Sequence, residues 1–150
     1  MPSKYVIFVS TLVASLGLYL FHYLDPRSTY WAIILPISIM AAGLGFGMSQ
    51  RTNLVAQAVP QHEIGVASSV LALARNIAGA FGIALFGTIL NNSINSNMIN
   101  LSRLSAFHGH TVLQYQQFIA LISLKAQISA YGTVFLISSI VVFLLSLIHI

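Results

Sequence analysis

GVASSVLALARNIAGAFGIALFGTIL, residues 65–90, is the stretch that decides the fold of this chain. At about 1.5 Å per residue it is long enough to cross the ~30 Å hydrocarbon core of a bilayer. It carries one charge, Arg75, about ten residues or roughly 15 Å along the helix from Gly65. An arginine at that depth costs about 2.5–3.5 kcal/mol on insertion scales, so it is expected to face other helices or water. Steps of three and four residues place Ser68, Ala72, Arg75, Gly79 and Gly82 on one face. Val66, Val70, Leu73, Ile77 and Phe81 fall on the other. The predicted helix is therefore amphipathic by size, with a small polar face for protein and a bulky face for lipid. Close approach through Gly79 and Gly82 would put Arg75 inside a bundle. Arg75, with Ser68 and Asn76 beside it, is the candidate for a substrate or proton pathway. A helix-to-helix clamp, bonded to a carboxylate or to carbonyls, is the plainer reading of the same residues.

Working outward, three more apolar runs have spanning length. The first covers residues 5–24. No small-x-small cleavage site follows it before Asp25, so it reads as a true span and not a removed leader. Asp25-Pro26-Arg27-Ser28-Thr29 then makes a tight turn. The second span covers residues 30–48, anchored at its start by Tyr30 and Trp31. Pro36 removes a backbone donor inside it and is expected to kink it for packing. Gly43 and Gly47 lie four apart, the spacing that lets two helix backbones come close. Residues 49–64 are polar, and Glu63 suits the positive end of the helix that follows. Beyond residue 90, Asn91-Asn92-Ser93 reads as the end of the third span, opening a long connection over residues 91–125. Within it, Tyr115, Phe118, Ile119 and Ile122 share a face, which fits either an interfacial helix or an early start of the last span. The fourth span covers residues 130–150. The abrupt apolar ending at His149-Ile150 suggests truncation.

Composition supports this architecture of an all-α, polytopic membrane bundle with about four spans. Charged residues make up 5% of the 150 and hydrophobic residues 57%. A soluble domain has roughly a quarter of its residues charged, so lipid is the solvent that fits. The six Lys and Arg are scattered and not interleaved with aromatics, which speaks against a nucleic-acid partner. The two acids, Asp25 and Glu63, both lie outside the spans. A carboxylate for Arg75 is therefore expected from outside this chain. There is no cysteine, so disulfides and thiolate metal sites are excluded. His108 and His110 flank Gly109 in a loop without acids nearby, and no metal or cofactor is expected there. Ser68 and Ser69 read as helix serines bonded to the backbone, not as nucleophiles. No cluster of His, Asp and Glu supports a membrane enzyme. Charge bias between the two sides is too weak to orient the chain: Lys4 and Arg51 lie on one, Arg27, Arg103 and Lys125 on the other.

One resemblance gathers these features. From Pro60 the chain reads Pro60, Gly65-Val66-Ala67-Ser68-Ser69, Arg75-Asn76, Gly79-Ala80-Phe81-Gly82-Ile83-Ala84 and Gly87-Thr88, preceded by Gly43-Leu44-Gly45-Phe46-Gly47. Over residues 43–88 this resembles the C-terminal region of the fourteen-helix drug–proton antiporters of the major facilitator superfamily, in the EmrB/QacA-like branch. The resemblance implies that residues 1–150 are a partial C-terminal transmembrane domain supplying the last four helices. It further implies cytoplasmic termini, an outward 91–125 connection, and Arg75 at the family's intramembrane arginine. The implied activity is export of hydrophobic drugs or amphiphiles against protons across the cell membrane. The implied partners are the bilayer, those molecules, and the absent N-terminal helices. Such a transporter needs two six-helix halves, so four helices are expected to be inactive alone. The competing reading is a self-contained four-helix membrane protein that assembles with a partner. A small proton-driven exporter of that size would need an intramembrane carboxylate, which this sequence lacks.

Overall fold

The computed structural model describes residues 3–105 and 111–148, with side chains described from Tyr5 onward. Four α-helices make up the fold: α1 (Ser3–Phe21), α2 (Tyr30–Gln57), α3 (Ile64–Leu104) and α4 (Val112–Ile148). A 3-10 turn, Gln61–Glu63, leads into α3. By length and composition α2, α3 with its leading turn, and α4 can each cross a membrane. The apolar part of α1 is shorter. Its 19 residues rise about 28 Å, just under the ~30 Å core.

Neighbouring helices run antiparallel, as the cross-contacts require. On α1 and α2, Ser10 lies against Gly47, Ala14 against Gly43, and Gly17 against Met40. On α1 and α4, Thr11 pairs with Ser146 and Ser15 with Ser139. On α3 and α4, Asn97 meets Ala126. The core sits on α1, which packs against both α2 and α4. Small residues make this possible: Ser10, Thr11, Ala14, Ser15 and Gly17 are all buried.

A hydroxyl seam locks the α1–α4 register. Thr11 Oγ1 donates to Ser146 Oγ at 3.0 Å, and Ser146 Oγ donates to the Phe8 carbonyl at 3.1 Å. Ser15 Oγ donates to the Ser139 carbonyl at 3.0 Å. Thr11 Oγ1 can also donate to the Ile7 carbonyl of its own helix at 2.8 Å, whereas Ser15 and Ser146 donate across the interface and tie the two helices together. His22 Nδ1 lies 3.1 Å from the Gly132 carbonyl, and Phe21 stacks on Phe135 at the same end.

Several boundaries differ from the sequence reading. The first helix stops at Phe21, and residues 22–24 turn back on Tyr19, Leu20 and Phe21 through short-range bonds. The second runs past Met48 to Gln57, so the 49–64 connection is mostly helical. Asn91-Asn92-Ser93 does not end α3, which continues unbroken to Leu104. The helix penalty of Asn and Ser is at most about 0.7 kcal/mol each, and packing overrides it. Ser93, Ile94, Asn97, Met98 and Leu101 are half-buried, and Asn97 Nδ2 donates to the Ala126 carbonyl at 3.4 Å. Residues 112–125 are the first turns of α4, not a separate interfacial helix. Ile122, Ala126 and Ala130 are buried there at four-residue spacing. The 91–125 loop is thus largely a helical hairpin of the two long elements. His108, Gly109, His110, His149 and Ile150 lie outside the described residues.

Candidate functional site

The α2–α3 hairpin positions Arg75. Side chains on a helix lean toward its N-terminus, so Arg75 points back toward the α2–α3 connection. Its Nη2 donates to Thr52 Oγ1 at 3.0 Å, and Thr52 Oγ1 in turn donates to the Met48 carbonyl at 3.0 Å. Thr52 lies beyond the predicted end of the second span, so the guanidinium reaches from the interior toward the polar end of the hairpin. Among the described residues no carboxylate pairs with Arg75. Glu63, on the 3-10 turn, instead sits 3.5 Å from Nε2 of its neighbour His62. Arg75 remains exposed, with most of its donors unused among the described residues.

The other candidates are uncovered as well. Ser68 and Asn76 are exposed and make no side-chain hydrogen bond among the described residues, whereas Ser69 Oγ donates to the Gly65 carbonyl at 2.9 Å. A Cβ built on Gly79 or Gly82 meets nothing within 4 Å. The small face of α3 is therefore open around Gly79 and Gly82, where no described helix packs on it, while Arg75 on the same face reaches Thr52 of α2. The bulky face is open too, with Phe81 70% and Ile77 62% exposed. Along α3 not one residue is fully buried. Below Arg75, Val55 and Val59 of α2 face Ala67, Val70, Leu71 and Ala74 of α3 across an apolar cleft of about 440 Å³, with Glu63 at its rim.

The glycines of α2 lie in a different environment. A Cβ on Gly43 would stand 2.5 Å from the Ala14 nitrogen and 2.6 Å from the Ser10 carbonyl. One on Gly47 would stand 2.7 Å from Ser10 Oγ. Gly45, between them, faces open space. Pro36 is buried on the same stripe as Met40, Gly43 and Gly47, and α2 continues through it as helix. It leaves the Ala32 carbonyl without its helical donor.

Sequence reasoning missed Gly17 and Gly132. A Cβ on Gly17 would come within 2.6 Å of the Met40 nitrogen, and one on Gly132 within 3.1 Å of the His22 carbonyl. It also missed the Thr11, Ser15, Ser139 and Ser146 seam. The signal was present as small residues at steps of four and seven within otherwise apolar runs.

No protein-family model matches the chain. Over 104 residues it is 27% identical to a protein of Aspergillus terreus named efflux pump terJ, a match covering 69% of this chain and 20% of that protein. The chain thus spans about a fifth of the length of this curated relative. Taken with its apolar helices, this likeness describes a helical membrane protein with distant, transporter-like similarity to an efflux pump.

Proposed function

We propose that this chain forms four helices of the C-terminal half of a multi-pass plasma-membrane permease. That permease exports hydrophobic drugs or amphiphiles by proton antiport, in the manner of the EmrB/QacA-like branch of the major facilitator superfamily. It is a transporter component and not an enzyme. The observation that carries this reading is α3, whose central stretch is covered on neither face. A bulky face open to lipid needs no further explanation. A small face carrying an exposed Arg75 beside open Gly79 and Gly82 does, because an arginine facing hydrocarbon is costly. Further helices seated on that face would bury Arg75, supply its acceptors and create a polar path next to Ser68 and Asn76. The distant likeness to an efflux pump supports the same reading. The remaining helices of the permease, a hydrophobic substrate and protons are the partners of this site. The termini lie in the cytoplasm.

The test is Arg75→Ala in the complete permease, scored for export and for membrane insertion separately. Loss of export with normal insertion is expected. Unchanged export removes Arg75 from the pathway and leaves it a packing clamp.

A further inference from the structure

A second site lies at the opposite end of the bundle from Thr52. The α1–α2 turn and α4 enclose a cavity of about 480 Å³ lined by Asp25, Pro26, Arg27, Leu121, Leu124 and Lys125. Its depth follows from the helix register. Laying a ~30 Å hydrocarbon core over residues 130–148 leaves Lys125 about 7 Å outside it, within the headgroup layer. The turn lies at the same level, since His22, just before it, meets Gly132 on α4. Exposed Tyr23, Tyr30 and Trp31 flank the turn, as aromatic side chains do at the headgroup boundary.

The charges in this cavity are unbalanced. Neither Arg27 nor Lys125 is ion-paired among the described residues, where the recorded pair is His62 with Glu63. Asp25 is the opposing charge, but its carboxylate is engaged by its own turn. Its Oδ1 accepts from the Arg27 backbone N–H at 3.4 Å, while its backbone N–H donates to Ser28 Oγ at 2.9 Å. Two cations on separate elements, neither ion-paired among the described residues, therefore line a cavity whose remaining wall is Pro26, Leu121, Leu124 and the turn-engaged Asp25.

We propose that this cavity binds an anionic glycerophospholipid, with Arg27 and Lys125 on the headgroup phosphate and Leu121 and Leu124 against the upper acyl chain. The chemistry is phosphate recognition by one fork-shaped and one point cation. The apolar wall and the headgroup depth select a lipid phosphate over a free one. The site is independent of the transport reading: it needs the membrane and these helices, not substrate or missing segments.

The test uses the full chain, purified in mild detergent, with native mass spectrometry in phosphatidylglycerol or phosphatidylcholine of matched acyl chains. Retention of phosphatidylglycerol over phosphatidylcholine is expected. The double variant Arg27→Gln/Lys125→Gln should lower phosphatidylglycerol retention roughly twenty-five-fold, about a factor of five for each cation near the surface. Phosphatidylcholine retention should stay unchanged. Asp25→Asn, which keeps the turn's acceptor, should strengthen phosphatidylglycerol binding. The charge-matched control Arg51→Gln/Arg103→Gln should leave the preference intact, and excess inorganic phosphate should not displace the lipid. Equal retention of both lipids by the unaltered chain overturns the proposal. So does a control variant as damaging as the site variant, which would mean diffuse charge attraction. Displacement by inorganic phosphate would assign the cavity to a free anion instead.

Discussion

Replacing Gly43 with alanine adds one methyl group where α1 and α2 nearly touch. The new Cβ would stand 2.5 Å from the Ala14 nitrogen and 2.6 Å from the Ser10 carbonyl, both backbone atoms that cannot rotate away. Ordinary contact needs about 3.5 Å, so the two helices must separate by about 1 Å. A gap of that size forfeits a quarter to a half of the dispersion energy at each contact along the crossing. Ser10 against Gly47 and Gly17 against Met40 open with it. Overpacking of this kind costs about 1–3 kcal/mol. Gly45 is the internal control. It sits two residues away in the same helix, and a Cβ there meets nothing within 4 Å. Alanine at Gly45 should be neutral or stabilising, by up to about 1 kcal/mol from helix propensity. The assay is unfolding of the purified chain by SDS titration from mild detergent, followed by circular dichroism. Opposite signs for Gly43→Ala and Gly45→Ala are expected. Equal midpoints for the two variants would refute the close α1–α2 crossing.

The hydroxyl seam predicts that Ser139→Ala is mild and Ser146→Ala larger, because Ser139 contributes a backbone carbonyl while Ser146 contributes its hydroxyl twice. Interhelical hydroxyl bonds in membranes are worth about 0.6 kcal/mol on average and up to ~1.7, and the same SDS titration reads the difference. The native chain has no cysteine, so Thr11→Cys/Ser146→Cys should form a single oxidative crosslink between α1 and α4. Failure of that pair alongside success of a random surface pair would contradict the register. Thr52→Val removes the acceptor of the Arg75 guanidinium. In the complete permease it should reproduce part of the Arg75→Ala transport defect, and a fully active Thr52→Val variant would show that this bond is dispensable. A cysteine at the exposed Ser102 should react with an impermeant maleimide from outside intact cells. Reaction only after lysis would reverse the proposed topology.

Much of the fold was legible because spanning length and the scarcity of charge are properties of composition, which lipid imposes directly. Turn chemistry was also readable, as at Asp25-Pro26-Arg27-Ser28-Thr29, where Pro and small polar residues leave little choice. The run of asparagine and serine after Leu90 misled the reading. Those residues weaken a helix only slightly, and the deciding force was the packing of α3 on α4, where Asn97 meets the Ala126 carbonyl, invisible without tertiary structure. Arg75 stood out as a lone charge, but its partner did not. Thr52 becomes a neighbour only because α2 continues past Met48 and turns at residues 58–60. The core itself was overlooked for a different reason. The apolar run of residues 5–24 contains no charge to draw attention, yet its small residues make it the helix on which α2 and α4 are built.

In the proposed permease the small face of α3 is covered by helices beyond this chain while the bulky face meets lipid. Spin labels on cysteines at Gly79 and at Phe81, compared by oxygen accessibility in membranes of the source organism, test it directly. A buried label at Gly79 and an oxygen-accessible one at Phe81 are expected, with both accessible when the chain is reconstituted alone. Equal accessibility of the two labels in the native membranes would contradict it.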